Sequence, residues 1–158
     1  MKRTNQLQPL SRQHHLGLNI SRHAKECSHE PNEISEHWHK LTSYINNMSH
    51  HFEIEDNLIA NALQPHRNSI PDVAKALDTL DEQHIALHSL ITETETETAH
   101  PSNVTATQVK ALGNLLYDHI RFEERELFPL VETYLTEEEL DSIYAASADS
   151  IKRPDENR

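Results

Sequence analysis

Apolar residues recur at helical spacing in four stretches of the chain, and polar breaks separate them. The breaks are SHEPNE around Pro31, QPHRNSIPD with Pro65 and Pro71, and TETETETAHPSN running past Pro101. The stretches predict helices over 7–27, 33–63, 72–93 and 105–134. Asn32, just after Pro31, is the expected N-cap of the second helix. Pro129 predicts a kink or break in the fourth. Thr136 followed by Glu139 forms a capping-box pattern that predicts a short fifth helix. The Thr/Glu alternation has no apolar face and reads as loop or a frayed helix end. The expected architecture is all-α: an up-down-up-down four-helix bundle over 1–145, with a short extra helix near its C-terminal end. A polar tail, 146–158, follows.

Placing residues at about 100° per step gives each helix an inward direction. The second helix buries Leu41, Tyr44, Ile45, Met48, Phe52 and Ile59, and His51 and Glu55 lie within that stripe. The third buries Val73, Leu77, Leu80, Leu87 and Ile91, with His84 and His88 inside it. The fourth buries Leu112, Leu116, Ile120 and Leu127, with His119 and Glu123 inside and Glu124 turned about a quarter-turn off. In the first helix Leu7, Leu10 and Gly17 form the stripe; His14 is central and His15 lies at its edge. Every predicted helix therefore turns a metal-ligating type of side chain toward the core.

Composition sharpens this. Of 158 residues only 35% are hydrophobic, lean for a bundle, while histidine occurs 13 times. Two glycines leave no phosphate-cradling loop. A single cysteine, Cys27, excludes a disulfide framework and a multi-cysteine metal site. A net charge of −12 gives no electrostatic footprint for nucleic acid or an anionic membrane. The polar N-terminal stretch has no apolar signal-peptide core, and no segment is apolar enough to span a bilayer, so a cytoplasmic setting is expected. An unpaired buried carboxylate is expensive to desolvate, so inward glutamates need a compensating charge. His51/Glu55, His84/His88 and His119/Glu123 each stand at i,i+4 and are ready chelating pairs. Mixed imidazole and carboxylate ligands suit non-haem iron, and also manganese or zinc.

The order His, His-x3-Glu, His-x3-His, His-x3-Glu on successive helices resembles the hemerythrin-like (HHE) domain family. The stretches that carry the resemblance are RQHHLGLN (12–19), HHFEIEDNLI (50–59), DEQHIALH (81–88) and DHIRFEERELFPLVE (118–132). The resemblance implies metal ligands at His14, His51, Glu55, His84, His88, His119 and Glu123, with His15 the alternative in the first helix. It implies two non-haem iron ions joined by an oxo or hydroxo group and both carboxylates, zinc or manganese being substitutes. One iron would take three histidines and the other two, leaving an open position for O2 or NO. Oxygen-carrying members have His-x4-Asp on the last helix, where this chain has His-x3-Glu, so it looks closer to the looser bacterial relatives that sense or scavenge gases or hold iron. The implied function is binding or sensing O2 or NO, or storing iron. The alternatives are a di-iron enzyme acting on peroxide, NO or ferrous iron, an iron donor in cluster repair, and a metal-free or zinc-filled helical scaffold that binds a partner, the inward carboxylates arguing against the metal-free version. A homodimer is compatible with the family, but no exposed apolar seam names an interface.

Overall fold

A computed structural model describes residues 3–100 and 103–154; Pro101, in the third predicted break, and the end of the tail, 155–158, lie outside them. A 3-10 turn, Asn5–Leu7, feeds α1 (Gln8–Ala24), the first rod of the bundle. The second rod is α2 (Pro31–Asn47), α3 (Ser49–Ile54), a π turn Glu55–Ile59 and α4 (Ala60–Leu63). The third is α5 (Pro71–Thr98). The fourth is α6 (Ala106–Phe122), a second π turn Glu123–Leu127 and α7 (Phe128–Tyr134). α8 (Glu137–Ala146) packs across the Asn5–Leu7 turn and the first π turn, and a 3-10 turn, Asp149–Ile151, returns the chain to α1. The described residues contain no strand. The all-α bundle with an added C-terminal helix is as the periodicity predicts.

Three local features depart from the sequence reading. Glu30, not Asn32, caps α2: its carboxylate accepts from the backbone N–H of Asn32 and Glu33 at 3.2 and 2.9 Å. Pro31 takes the first helical position, where its missing N–H costs nothing, and that moves Asn32 inside the helix. The Thr/Glu alternation is helical through Thr98, because Thr94 extends the buried spacing of Leu87 and Ile91. α5 stops at Ala99, whose φ of 57° is left-handed and whose N–H caps the carbonyl of Glu95. Pro129 does not break the fourth rod. It lies in the first turn of α7, directly after a π turn that has already shifted the hydrogen-bond register.

The interior is two apolar clusters with a polar layer between them. One cluster gathers Leu10, Ile59, Leu80, Leu127 and Phe128 toward α8. The other gathers Leu41, Ile45, Leu87, Leu116 and Ile120. His14, His51, Glu55, His84, His119 and Glu123 are buried where the two meet. This layer accounts for a part of the low hydrocarbon content of the composition.

Candidate metal centre

Each rod delivers its polar residues at one height. His14 comes from the middle of α1, His51 from α3, His84 from α5 and His119 from the last turn of α6. Glu55 and Glu123 are the first residues of the two π turns, four residues after His51 and His119. Helical side chains lean toward the N-terminus, so each glutamate reaches back to its histidine. The ligand atoms form two groups, each spanning no more than 4.8 Å: His14, His51, Glu55 and Glu123, and His84, His119, Glu55 and Glu123. Both glutamates are common to both groups.

The Nε2 atoms face the carboxylates. His14 and His119 stand 3.1 Å from Glu123 Oε1, His84 stands 3.2 Å from Glu55 Oε1, and His51 stands 3.2 Å from Glu55 Oε2. Two ligands at about 2.1 Å from one cation, about 90–110° apart, would be separated by about 3.0–3.4 Å, so these spacings fit a shared ion.

Behind each ring, Nδ1 meets an acceptor. His14 donates to Glu124 Oε2 at 2.7 Å and His84 to Asp56 Oδ1 at 2.8 Å. His51 donates to Gln13 Oε1 at 2.8 Å and His119 to Gln83 Oε1 at 2.7 Å. These acceptors hold a proton on Nδ1 and direct Nε2 of each ring inward. At His51 and His119, which burial keeps neutral, the imidazole then confronts a carboxylate lone pair to lone pair. Accordingly, His51 Nε2, His119 Nε2, Glu55 Oε2 and Glu123 Oε2 are buried without a hydrogen-bond partner. Desolvated orphans of this kind are costly, and a cation placed between them removes the cost. The donor set passes the test for a metal site.

Electrostatics without metal show the same tension. Burial drives His51 below the ordinary imidazole range against the pull of Glu55, and drives His119 well below it. Burial also opposes charge on His84, but Asp56 and Glu55 outweigh it and push that ring up to about 9. Burial would raise Glu55; His51 and His84 more than offset this and hold it below the usual carboxylate range.

The structure brings together six of the seven residues expected as ligands. His88 stays outside: it is exposed, and Phe52 occupies the interior beside it, its ring centroid 4.6 Å from that of His84 and 5.8 Å from that of His88. The buried stripe of α5 runs through 73, 77, 80, 84, 87, 91 and 94 in alternating steps of four and three, which leaves 88 at its edge. His14, not its exposed neighbour His15, faces the cluster. With His88 outside, the histidines divide two and two instead of three and two.

Sequence reading missed Gln13, Gln83 and Asp56, and it set Glu124 aside as off the stripe without giving it a role. A signal was present. Gln13-His14 recurs as Gln83-His84, and His51…Glu55-Asp56 recurs as His119…Glu123-Glu124. The offsets are 70 and 68 residues, and the two π turns repeat at the same 68. The bundle is thus two similar helix pairs facing each other across the polar layer. His14 and His84 each take their carboxylate from the opposite pair, while His51 and His119 each take their amide from their own.

Residues 6–131 match the family model described as the Hemerythrin HHE cation binding domain. No curated protein and no solved structure matches the chain. The matched span contains every residue of the cluster, and the buried histidine–glutamate layer fits a metal-binding protein. No helix among the described residues is long and apolar enough to cross a membrane.

Proposed function

The chain belongs to the hemerythrin HHE cation-binding domain family, and on that premise we propose that it is a non-haem di-iron protein that binds O2 or NO. One observation carries the reading: the inward ligand atoms of four histidines and two glutamates, with orphaned atoms from both pairs of helices, converge on two places at once. His14 and His51 would hold one iron, His84 and His119 the other, and Glu55 and Glu123 would bridge them. Two imidazoles and two carboxylates per ion leave coordination positions for a diatomic ligand, and iron supplies reversible one-electron chemistry there.

The chain's own contribution is orientation, charge and exclusion of water. Glu124 and Asp56 fix the tautomers of His14 and His84 and make those rings stronger donors. Gln13 and Gln83 fix the other two without adding charge. Phe128 stacks on His14 at 5.5 Å, and Phe52 borders His51, His84 and His119, so apolar rings wall the layer. Two glutamates neutralise two of the positive charges brought by the metals. Cys27, buried and unpaired, suits the reducing cytoplasm in which we place the protein.

The test is anaerobic reconstitution with ferrous iron, metal counting, and visible spectra after air, NO and azide. Two irons per chain with ligand-dependent charge-transfer bands are expected. Failure to retain iron would end the reading, and sustained consumption of peroxide would make the protein an enzyme instead.

A further inference from the structure

Away from the metal layer, a groove of about 680 Å³ opens between α1 and α2 and is closed by the Asp149–Ile151 turn and the residues after it. That is within the range of about 300–1,000 Å³ typical of small-molecule sites. Leu16, Ile20 and Met48 give it an apolar floor, and Leu16 keeps 59% of its surface exposed there. Its lining also carries Arg12, Lys40, Lys152 and Arg153.

The sign of this lining runs against the molecule. The chain has 26 acidic and 14 basic side chains, yet among the described residues no Asp or Glu lines the groove. Arg12 reaches across to the carbonyl of Ile151, so the closing turn is tied to α1 through one of the cations. Lys40 pairs with Glu36 and Lys152 with Asp149, but those carboxylates are 64% and 99% exposed. The Lys40 pair, exposed on both sides, contributes little in water, and an anion seated over the floor would compete for Lys40 on better terms; Lys152, which also stands 4.8 Å over the Tyr144 ring, adds positive charge beside it.

We propose that this groove binds a small organic carboxylate with an apolar body, its charge between Lys40, Lys152 and Arg12 and its hydrocarbon on Leu16, Ile20 and Met48. An inorganic anion would waste the floor, and an uncharged hydrocarbon would waste the cations. The wall also contains Tyr44 and Gln13. Tyr44 donates its hydroxyl to the Gln13 carbonyl at 2.9 Å, and the Gln13 side chain accepts from His51. A carboxylate bound here therefore sits against the residues that hold one histidine of the polar layer. The proposal does not depend on which metal that layer takes, or on whether it takes one.

Fluorescence titration with 8-anilinonaphthalene-1-sulfonate, with decanoate and inorganic phosphate as competitors, tests it. Saturable binding at a single site is expected, displaced by decanoate and not by phosphate at equal concentration. Leu16→Glu and Lys40→Glu should each weaken binding about tenfold. Both positions are exposed, so circular dichroism should show the fold intact. Lys75→Glu, on α5 and outside the groove, should change nothing. Non-saturating fluorescence, equal displacement by phosphate, or variants that bind like the parent would overturn the proposal.

Discussion

Glu124 reaches His14 across 110 positions of sequence, its Oε2 2.7 Å from Nδ1, while the adjacent Glu123 meets the same ring at Nε2 at 3.1 Å. Two consecutive glutamates thus hold opposite edges of one imidazole. Inside a regular helix they would point about 100° apart; here they open a π turn, with Glu123 inward and Glu124 against the outer edge.

That division of labour separates the effects of substitution at Glu123 and at Glu124. Glu124→Gln keeps an acceptor for Nδ1 but removes its charge, and should weaken metal binding about 10- to 100-fold. Asp56→Asn, its counterpart at His84, should match it. Glu123→Gln strikes both ions at once and should cost more than either. Chelator competition with metal counting ranks the three. A Glu124→Gln protein that binds metal like the parent would show that the outer contact is packing only.

His88 and His84 make a second contrast. His84→Ala should lower the metal content, since its Nε2 is 3.2 Å from Glu55. His88→Ala should leave stoichiometry and spectrum unchanged, because the ring is exposed with Phe52 beside it. Loss of metal in both variants would restore the three-and-two arrangement that the family resemblance implies.

Stability of the metal-free protein should peak near pH 6.5 and decline from there toward pH 9. His84 is raised to about 9 in the fold, so its contribution is full below 6.5 and is lost as pH rises through 9. His51 and His119 are lowered, so the unfolded chain binds more protons than the folded one below 6.5, and stability falls as pH drops through that value. Glu55 is lowered too, and its contribution disappears as pH falls below 4.5. Thermal melts from pH 4 to 10 check the shape; a curve still rising between pH 7 and 9 would contradict the role given to His84. Metal should be released on acidification, since protons compete for the same Nε2 lone pairs.

Gly17 of α1 sits directly against Tyr44 and Ile120. A Cβ there would stand 2.5 Å from Tyr44 Cζ and Oη and 2.6 Å from Ile120 Cδ1. Gly17→Ala should therefore destabilise the protein by about 1–3 kcal/mol, despite the better helix propensity of alanine. Urea denaturation measures it. A neutral or stabilising result would mean that the Tyr44 ring can move aside without losing its bond to Gln13.

Much of this was readable before folding. The i,i+4 pairs His51/Glu55 and His119/Glu123 lie on single helices, and helical geometry alone turns them inward together. His14 was separable from His15 by its place on the stripe. His88 was misplaced because counting at 100° per residue draws a broad stripe, whereas the packed α5 follows a narrow alternation of three and four. The Glu30 cap and the helical Thr/Glu stretch escaped for a related reason. Each depends on which neighbouring atom satisfies the backbone, and propensity does not specify that.

By itself the sequence determined the four rods, the polar layer across their middle, the family, and the absence of thiolate or phosphate-loop chemistry. These are properties of periodicity and residue type, which act within a helix. Only the tertiary structure decided how the histidines divide, which groups hold the Nδ1 protons, that His88 stays outside, and that a basic groove lies between α1 and α2. Those depend on the relative height and rotation of rods whose contacting residues are tens of positions apart. Periodicity gives the direction in which a side chain points, and packing decides what it meets.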